Sequence, residues 1–175
     1  MTKPHVLATI AIMLYVPHVL WHIRDGSAWD LLWVCNVAMP VLAVGCLMRN
    51  ARLCVIAFLF LVYGTPLWLV DSVTGGAMVP TSPLIHLGGL ALGVVAIRGL
   101  GWPRRTWLLA SAASAIVLAL TYLASPPASN VNLAFRVQDG WERWFTNHAL
   151  YVALLWLSAA GSFWLAERLA GRRST

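Results

Sequence analysis

The sequence predicts an all-α, polytopic membrane protein built as a bundle of six transmembrane helices, and three observations support this fold class. Six long apolar stretches fill the 175-residue chain, and most are long enough to cross a bilayer. Hydrophobic residues make up 60% of the chain and charged residues 10%, which excludes a water-soluble core. The basic residues collect on one side of the predicted bundle.

The six predicted spans form a single integral membrane domain over residues 1–175. The first apolar stretch lacks a small-residue cleavage site and is predicted to be a retained helix rather than a signal peptide. The turn-rich segment Gly75–Pro83 separates the third span from the fourth, and Ser125–Asn147 is the longest connection. A segment of that length and amphipathic content can fold back over the bundle as a cap. In chain order, the predicted spans are 6–23, 28–48, 53–70, 84–100, 107–123 and 148–169.

The distribution of lysine and arginine predicts the orientation. Six spans place nine of these residues on one side and three on the other, so both termini are expected to be cytoplasmic. This topology accounts for the net charge of +6, and no aromatic-interleaved basic patch indicates nucleic-acid binding. The larger group is Lys3, Arg49, Arg52, Arg98, Arg104, Arg105, Arg168, Arg172 and Arg173, and the smaller is Arg24, Arg136 and Arg143.

Polar residues that can carry chemistry gather at the predicted external ends of the spans. Cys35 lies in the second span and His86 opens the fourth. An imidazole can take the proton of a thiol and so generate a nucleophilic thiolate. Cys35 and His86 are therefore the predicted catalytic pair. The predicted substrate-binding residues around them are Asn36, Asn130, Asn132, His148 and Tyr151.

Asparagine amides near the pair can orient the histidine or donate hydrogen bonds to an oxyanion. This is the role expected for Asn36, Asn130 and Asn132. Tyr151 is expected to line the same pocket, which opens outward and is accessible to lipid.

A second interpretation involves His18 and His22, which share one helical face because they are four residues apart. Two such imidazoles can bind one metal ion or a haem. No His-Glu-x-x-His or other dense ligand motif accompanies them. The sequence therefore predicts no metal and no cofactor, and a metal site at His18 and His22 is the alternative.

A third interpretation is a non-catalytic protein, such as an assembly subunit. Gly89 and Gly93 form a small-xxx-small pair that allows helices to pack closely. Such surfaces suit a homo-oligomer or a larger membrane complex as well as an enzyme.

Four motifs resemble those of the YwaF-like bacterial integral membrane proteins. These proteins are related to a eukaryotic transmembrane acyltransferase of ether phospholipids and, more distantly, to androgen-induced lipid hydrolases. The resemblance covers residues 18–165. Its motifs are Leu-Leu-Trp-Val-Cys-Asn at 31–36, Pro-Leu-Ile-His-Leu-Gly at 83–88, Asn-Val-Asn-Leu-Ala-Phe at 130–135 and His-Ala-Leu-Tyr at 148–151.

The resemblance implies acyl transfer by an intramembrane cysteine and a histidine, which correspond here to Cys35 and His86. It also implies a bacterial inner-membrane location, with membrane lipid as substrate or solvent. The chain departs from the pattern at Asn36, where an acidic or small polar residue is expected. The hypothesis is a lipid acyltransferase or hydrolase in which Cys35 attacks an acyl ester or thioester.

Overall fold

The computed structural model describes residues 3–74 and 78–171 and confirms the all-α prediction, since no strand occurs in these two ranges. Gly75–Ala77 of the predicted loop, and Arg172 and Arg173 of the charge pattern, lie outside the described residues. The six α-helices are α1 (Pro4–Arg24), α2 (Val34–Leu47), α3 (Ala51–Val73), α4 (Gly89–Leu100), α5 (Thr106–Ala124) and α6 (His148–Gly171).

Four helices, α1, α3, α5 and α6, are long and apolar enough to cross a membrane. The apolar segments Val34–Leu47 and Leu84–Leu100 are shorter. Many side chains on the outer surface are large and apolar, including Met13, Leu20, Met48 and Leu123. Such a surface is typical of a protein surrounded by lipid rather than water.

The second helix differs from the predicted range 28–48. Residues Ala28–Leu32 form a 3₁₀ turn, and Trp33 then has an extended backbone with φ −55° and ψ 136° before α2 begins at Val34. The break lies where the amide of Val34 donates to the side-chain oxygen of Asn132 at 2.9 Å. A partner from a distant loop therefore stabilises the start of α2 at this position.

A second helix start is stabilised in the same way at the opposite end of the bundle. The carboxylate of Glu167, on α6, accepts hydrogen bonds from the amides of Arg105 at 2.6 Å and Trp107 at 2.9 Å. The first amides of a helix lack partners within the helix. Glu167 supplies acceptors for two such amides at the start of α5 and so links α5 to α6.

Helix α3 is the centre of the bundle and packs against α2, α4, α5 and α6. Glycines allow the closest approaches. A methyl group at Gly45 would lie 2.9 Å from the backbone nitrogen of Cys54, and one at Gly93 would lie 2.8 Å from the Phe58 ring. The small-residue packing expected for α4 is thus present against α3.

We expect Gly45→Ala to lower the stability of the protein because its methyl group would press on a backbone atom that cannot rotate away. Overpacking of this kind costs about 1–3 kcal/mol. The measurement is thermal unfolding of the detergent-purified protein. Gly161→Ala is the matched control, since nothing lies within 4 Å of its added methyl group. Equal melting temperatures for the two variants would contradict the packing argument.

Candidate functional site

A buried polar cluster lies on the side of the bundle where α1 and α3 finish and where α2 and α4 begin. His18 and His22 lie one turn apart near the end of α1, Asn36 lies in the first turn of α2, and His86 precedes α4. All four side chains are buried. In an apolar bundle such groups need hydrogen-bond partners.

The hydrogen bonds of His22 assign its tautomer. The hydroxyl of Ser27 donates to Asp25 at 3.3 Å, so its oxygen accepts from His22 Nδ1 at 2.8 Å. With the proton on Nδ1, a neutral His22 has a lone pair on Nε2. That lone pair faces His18 Nε2 at 3.2 Å.

The hydrogen bonds of His18 give the complementary assignment. The Asn36 amide nitrogen donates to the Asp30 carbonyl at 2.8 Å, so the Asn36 oxygen is the atom that faces His18 Nε2 at 3.1 Å. His18 therefore carries its proton on Nε2 and shares it between Asn36 and His22. Its Nδ1 accepts from the hydroxyl of Thr81 at 2.8 Å.

The resulting chain of hydrogen bonds runs from Thr81 through both imidazoles to Asp25 without a charged histidine. The Asp30 carboxylate lies 3.9 Å from His22, beyond a close hydrogen bond. The chain connects α1, α2 and the segment before α4. Its donors and acceptors are matched, so its first consequence is structural.

His86 differs from the other two histidines because one of its nitrogens is unpartnered. It lies in a π-helical turn, Leu84–Gly88, and its ring stacks on Trp68 with centroids 4.4 Å apart and planes 7° apart. Nδ1 donates to the carbonyl of Ser82 at 3.0 Å. Within the described ranges no group bonds to the buried Nε2, so this atom presents a free lone pair. Turns of the π type are frequent at functional sites.

Cys35 on α2 and His86 before α4 both contact α3, at positions that are one turn apart. A methyl group at Gly64 would lie 2.9 Å from the Cβ of Cys35, and His86 stacks on Trp68. Gly64 and Trp68 are four residues apart and share a helical face. No hydrogen bond joins the Cys35 thiol to His86 in the part of the chain that the structure describes.

Asn130 and Asn132 bond mainly to backbone groups, and neither bonds to His86 in the described ranges. Asn132 accepts from Val34 and donates to the Leu32 carbonyl at 2.7 Å and to Thr121 at 2.8 Å. Asn130 accepts from the amides of residues 135 and 136. Both have positive φ, 45° and 52°, which asparagine tolerates. Asn132 holds the 125–147 segment against α5 and the start of α2, whereas the bonds of Asn130 lie within that segment.

His148 and Tyr151 lie apart from the histidine cluster. His148 donates to the Leu133 carbonyl at 2.9 Å, and the Tyr151 ring packs 4.9 Å from that of Phe145. His148 borders a cleft of about 560 Å³ between α5 and α6. Neither this cleft nor the groove between α1 and α2 is lined by Cys35 or His86.

The alternative hypothesis is a metal site at His18 and His22. The ring nitrogens of these residues face each other and also face Asn36, Ser27 and Thr81. No group of three or more His, Cys, Asp and Glu side chains suited to a metal ion occurs within residues 3–74 and 78–171.

Sequence reasoning missed Thr81, Ser82, Gly64 and Trp68. The first two follow Pro80 in a turn-rich stretch, where serine and threonine are usual. Trp68 is one of ten tryptophans, most of which are typical of an interfacial belt. Only the tertiary structure separates these four residues from their many neighbours of the same type.

Comparison with protein-family models, curated proteins and solved structures finds no match for this chain.

We expect Asn36→Leu to lower the free energy of unfolding by about 2–4 kcal/mol, because it leaves the buried His18 and the Asp30 carbonyl with lost partners. Thermal unfolding in detergent measures the effect. Thr9→Val, which removes an exposed hydroxyl from α1, is the control and should cost little. A melting temperature for Asn36→Leu equal to that of this control would show that the cluster does not hold α1 to α2.

Proposed function

We propose that the chain crosses the membrane six times, with both termini in the cytoplasm. Four helices have the required length and composition. The 3₁₀ turn Ala28–Leu32 adds about 10 Å to α2, whose 14 residues span about 21 Å, so the two together approach the thickness of the hydrocarbon core. Leu84–Leu100 spans about 25 Å. The nine-to-three distribution of basic residues gives the orientation.

Cysteine accessibility tests this topology. In a background with Cys35, Cys46 and Cys54 replaced by serine, Asp139→Cys should react with a membrane-impermeant maleimide in spheroplasts. Arg104→Cys should react only after the membrane is opened. The reverse pattern would invert the orientation, and reaction of both in intact spheroplasts would contradict six spans.

For the chemistry, we propose a membrane-embedded lipid acyltransferase or hydrolase in which Cys35 is the nucleophile and His86 the base. One observation carries this proposal. His86 is 2% exposed, its Nδ1 proton is held by the Ser82 carbonyl, and its buried Nε2 has no partner in the described ranges, while Cys35 packs against Gly64, one turn of α3 from the Trp68 ring on which His86 stacks. A buried, unpartnered lone pair is costly for stability, and it is the form that a general base needs.

The reaction proceeds in two halves with His86 as the proton carrier. The Cys35 proton moves to His86 Nε2 as the sulfur attacks the acyl carbonyl, and the tetrahedral intermediate collapses to a thioester. The leaving alcohol or thiol takes the proton from His86. A hydroxyl compound then gives its proton to Nε2, attacks the thioester, and restores the thiol as that proton returns to sulfur.

The substrate class is an acyl lipid, because the site lies among apolar helices whose outer surfaces suit lipid. The resemblance to the YwaF-like proteins and their acyltransferase relative supports the same class and a bacterial inner-membrane location. A thiol and a base must approach each other when substrate binds, since hydrogen bonds in catalytic sites are often loose without it.

The proposal predicts that an alkyne-tagged long-chain acyl thioester labels Cys35 of the detergent-purified protein. The label should be a thioester, and therefore removed by neutral hydroxylamine and located on Cys35 by mass spectrometry. His86→Gln should slow labelling by about 10²-fold or more, because it removes the general base.

Cys46 and Cys54 provide matched controls, since both are buried free cysteines in the same bundle. Cys46→Ala should label at the wild-type rate, whereas Cys35→Ala should not label. Equal labelling of wild type and Cys35→Ala would overturn the assignment of the nucleophile.

A further inference from the structure

The Thr65 hydroxyl, like His86 Nε2 and the Trp102 indole nitrogen, is a buried polar group without a partner in the described ranges. Thr65 is 5% exposed. Other hydroxyls in the helices bond to the carbonyl four residues earlier, as in Ser111 to Trp107 and Thr121 to Val117, both at 2.8 Å. Thr65 does not use this ordinary solution, so its hydroxyl is free for another acceptor.

The register between α3 and α4 shows which segment Thr65 faces. Phe58 contacts Gly93, Leu61 contacts Gly89, and Trp68 stacks on His86. These contacts run antiparallel along one face of α3, and position 65 belongs to the same face, between Leu61 and Trp68. Thr65 therefore faces the stretch from Gly89 back to His86.

The unpartnered groups of His86 and Thr65 differ in what they need. His86 Nε2 only accepts, because its proton is on Nδ1, where it bonds to Ser82. The Thr65 hydroxyl donates to an acceptor. A hydroxyl group supplies a donor for His86 and an acceptor for Thr65, whereas an ester carbonyl only accepts and leaves His86 unsatisfied.

We propose that Thr65 and His86 form the subsite for the hydroxyl that receives the acyl group, which is the hydroxyl of a lipid alcohol or of water. This inference rests on the proposed function and assigns Thr65 the position of that hydroxyl. The hydroxyl donates its proton to His86 Nε2 as its oxygen forms the new ester or acid bond and the carbon–sulfur bond to Cys35 breaks. Thr65 donates a hydrogen bond to the oxygen and exchanges no proton.

The test uses [¹⁵N]histidine-labelled protein in detergent, with His86 assigned among the five histidines by its loss in His86→Gln. The probe is a 1-monoacylglycerol, compared with the same lipid carrying two methyl ethers in place of its hydroxyls. The monoacylglycerol should move the Nε2 resonance of His86 to the value of a hydrogen-bonded acceptor. The methylated lipid should leave it in place.

Thr65→Val removes the hydroxyl with little change of shape and should weaken monoacylglycerol binding about fivefold, the effect of one hydrogen bond of about 1 kcal/mol. Thr65→Ser should restore binding to within about twofold. Ser114→Ala is the control: this buried hydroxyl bonds within α5 to the Ser111 carbonyl at 2.9 Å. The Ser114→Ala variant should bind monoacylglycerol with the wild-type affinity.

The outcomes separate the two sources of the hydroxyl. A His86 signal that reaches the hydrogen-bonded position only with monoacylglycerol identifies an alcohol. A signal already there without lipid, and displaced by Thr65→Val, identifies water. A signal at the free position in both conditions, or one indifferent to Thr65→Val, overturns the subsite.

Repeating the titration with Cys35→Ala separates this inference from the proposed function. The resonance reports on Thr65 and His86 and does not need the thiol. A normal titration in a protein that fails to form a Cys35 thioester would leave the subsite standing and refute the nucleophile. Thioester formation with an unresponsive His86 signal would do the reverse.

Discussion

The hydrogen bond between His18 and Asn36, 3.1 Å long, joins the end of α1 to the start of α2. Burying a polar group without a partner costs more than an ordinary hydrogen bond returns. The surrounding groups are therefore matched donor to acceptor, from Thr81 through His18 and His22 to Ser27. The same constraint gives meaning to the exceptions. In the described ranges three buried side chains have an unpartnered polar atom, namely His86, Thr65 and Trp102, and the proposed subsite gives the first two a role.

Close helix approach sets the surroundings of Cys35 and His86. Gly64 allows α2 to lie against α3 so closely that the Cβ of Cys35 occupies the space of a missing side chain, and Gly89 does the same for Leu61 and α4. The ring of Trp68 stacks on the ring of His86. The π turn at Leu84–Gly88 allows Nδ1 to reach the Ser82 carbonyl, which fixes the tautomer. A backbone carbonyl, and not a charged side chain, holds the proton on His86 Nδ1.

Much of the fold follows from the sequence, because apolar length and turn residues locate six helices to within a few residues, apart from the start of α4, at Gly89 rather than 84, and the start of α2, at Val34 rather than 28. That start depends on Asn132, which is 98 positions away in the chain, and no local pattern reveals such a partner. The site follows less well. Spacing places His18 and His22 on one face, but Thr81 and Asn36 come from other elements. Asparagine can assist catalysis, but in this structure Asn132 attaches the 125–147 segment to the bundle and Asn130 bonds within that segment. Whether Cys35 reacts stays a prediction.

As the proposed nucleophile, Cys35 has to lose its proton in surroundings of low dielectric constant, and the proposed role of His86 concerns this step. Separating a thiolate and an imidazolium is costly where the dielectric constant is low, so a standing ion pair would need several further partners. An unpartnered neutral imidazole avoids that state. In the proposed reaction it takes the proton while the sulfur forms its bond to the acyl carbon, so no free thiolate is needed: the positive charge is then on the His86 imidazolium and the negative charge on the substrate oxygen. On this argument the hydrogen bond between Cys35 and His86 belongs to the substrate complex. Its absence from the free protein is what a low-dielectric site favours.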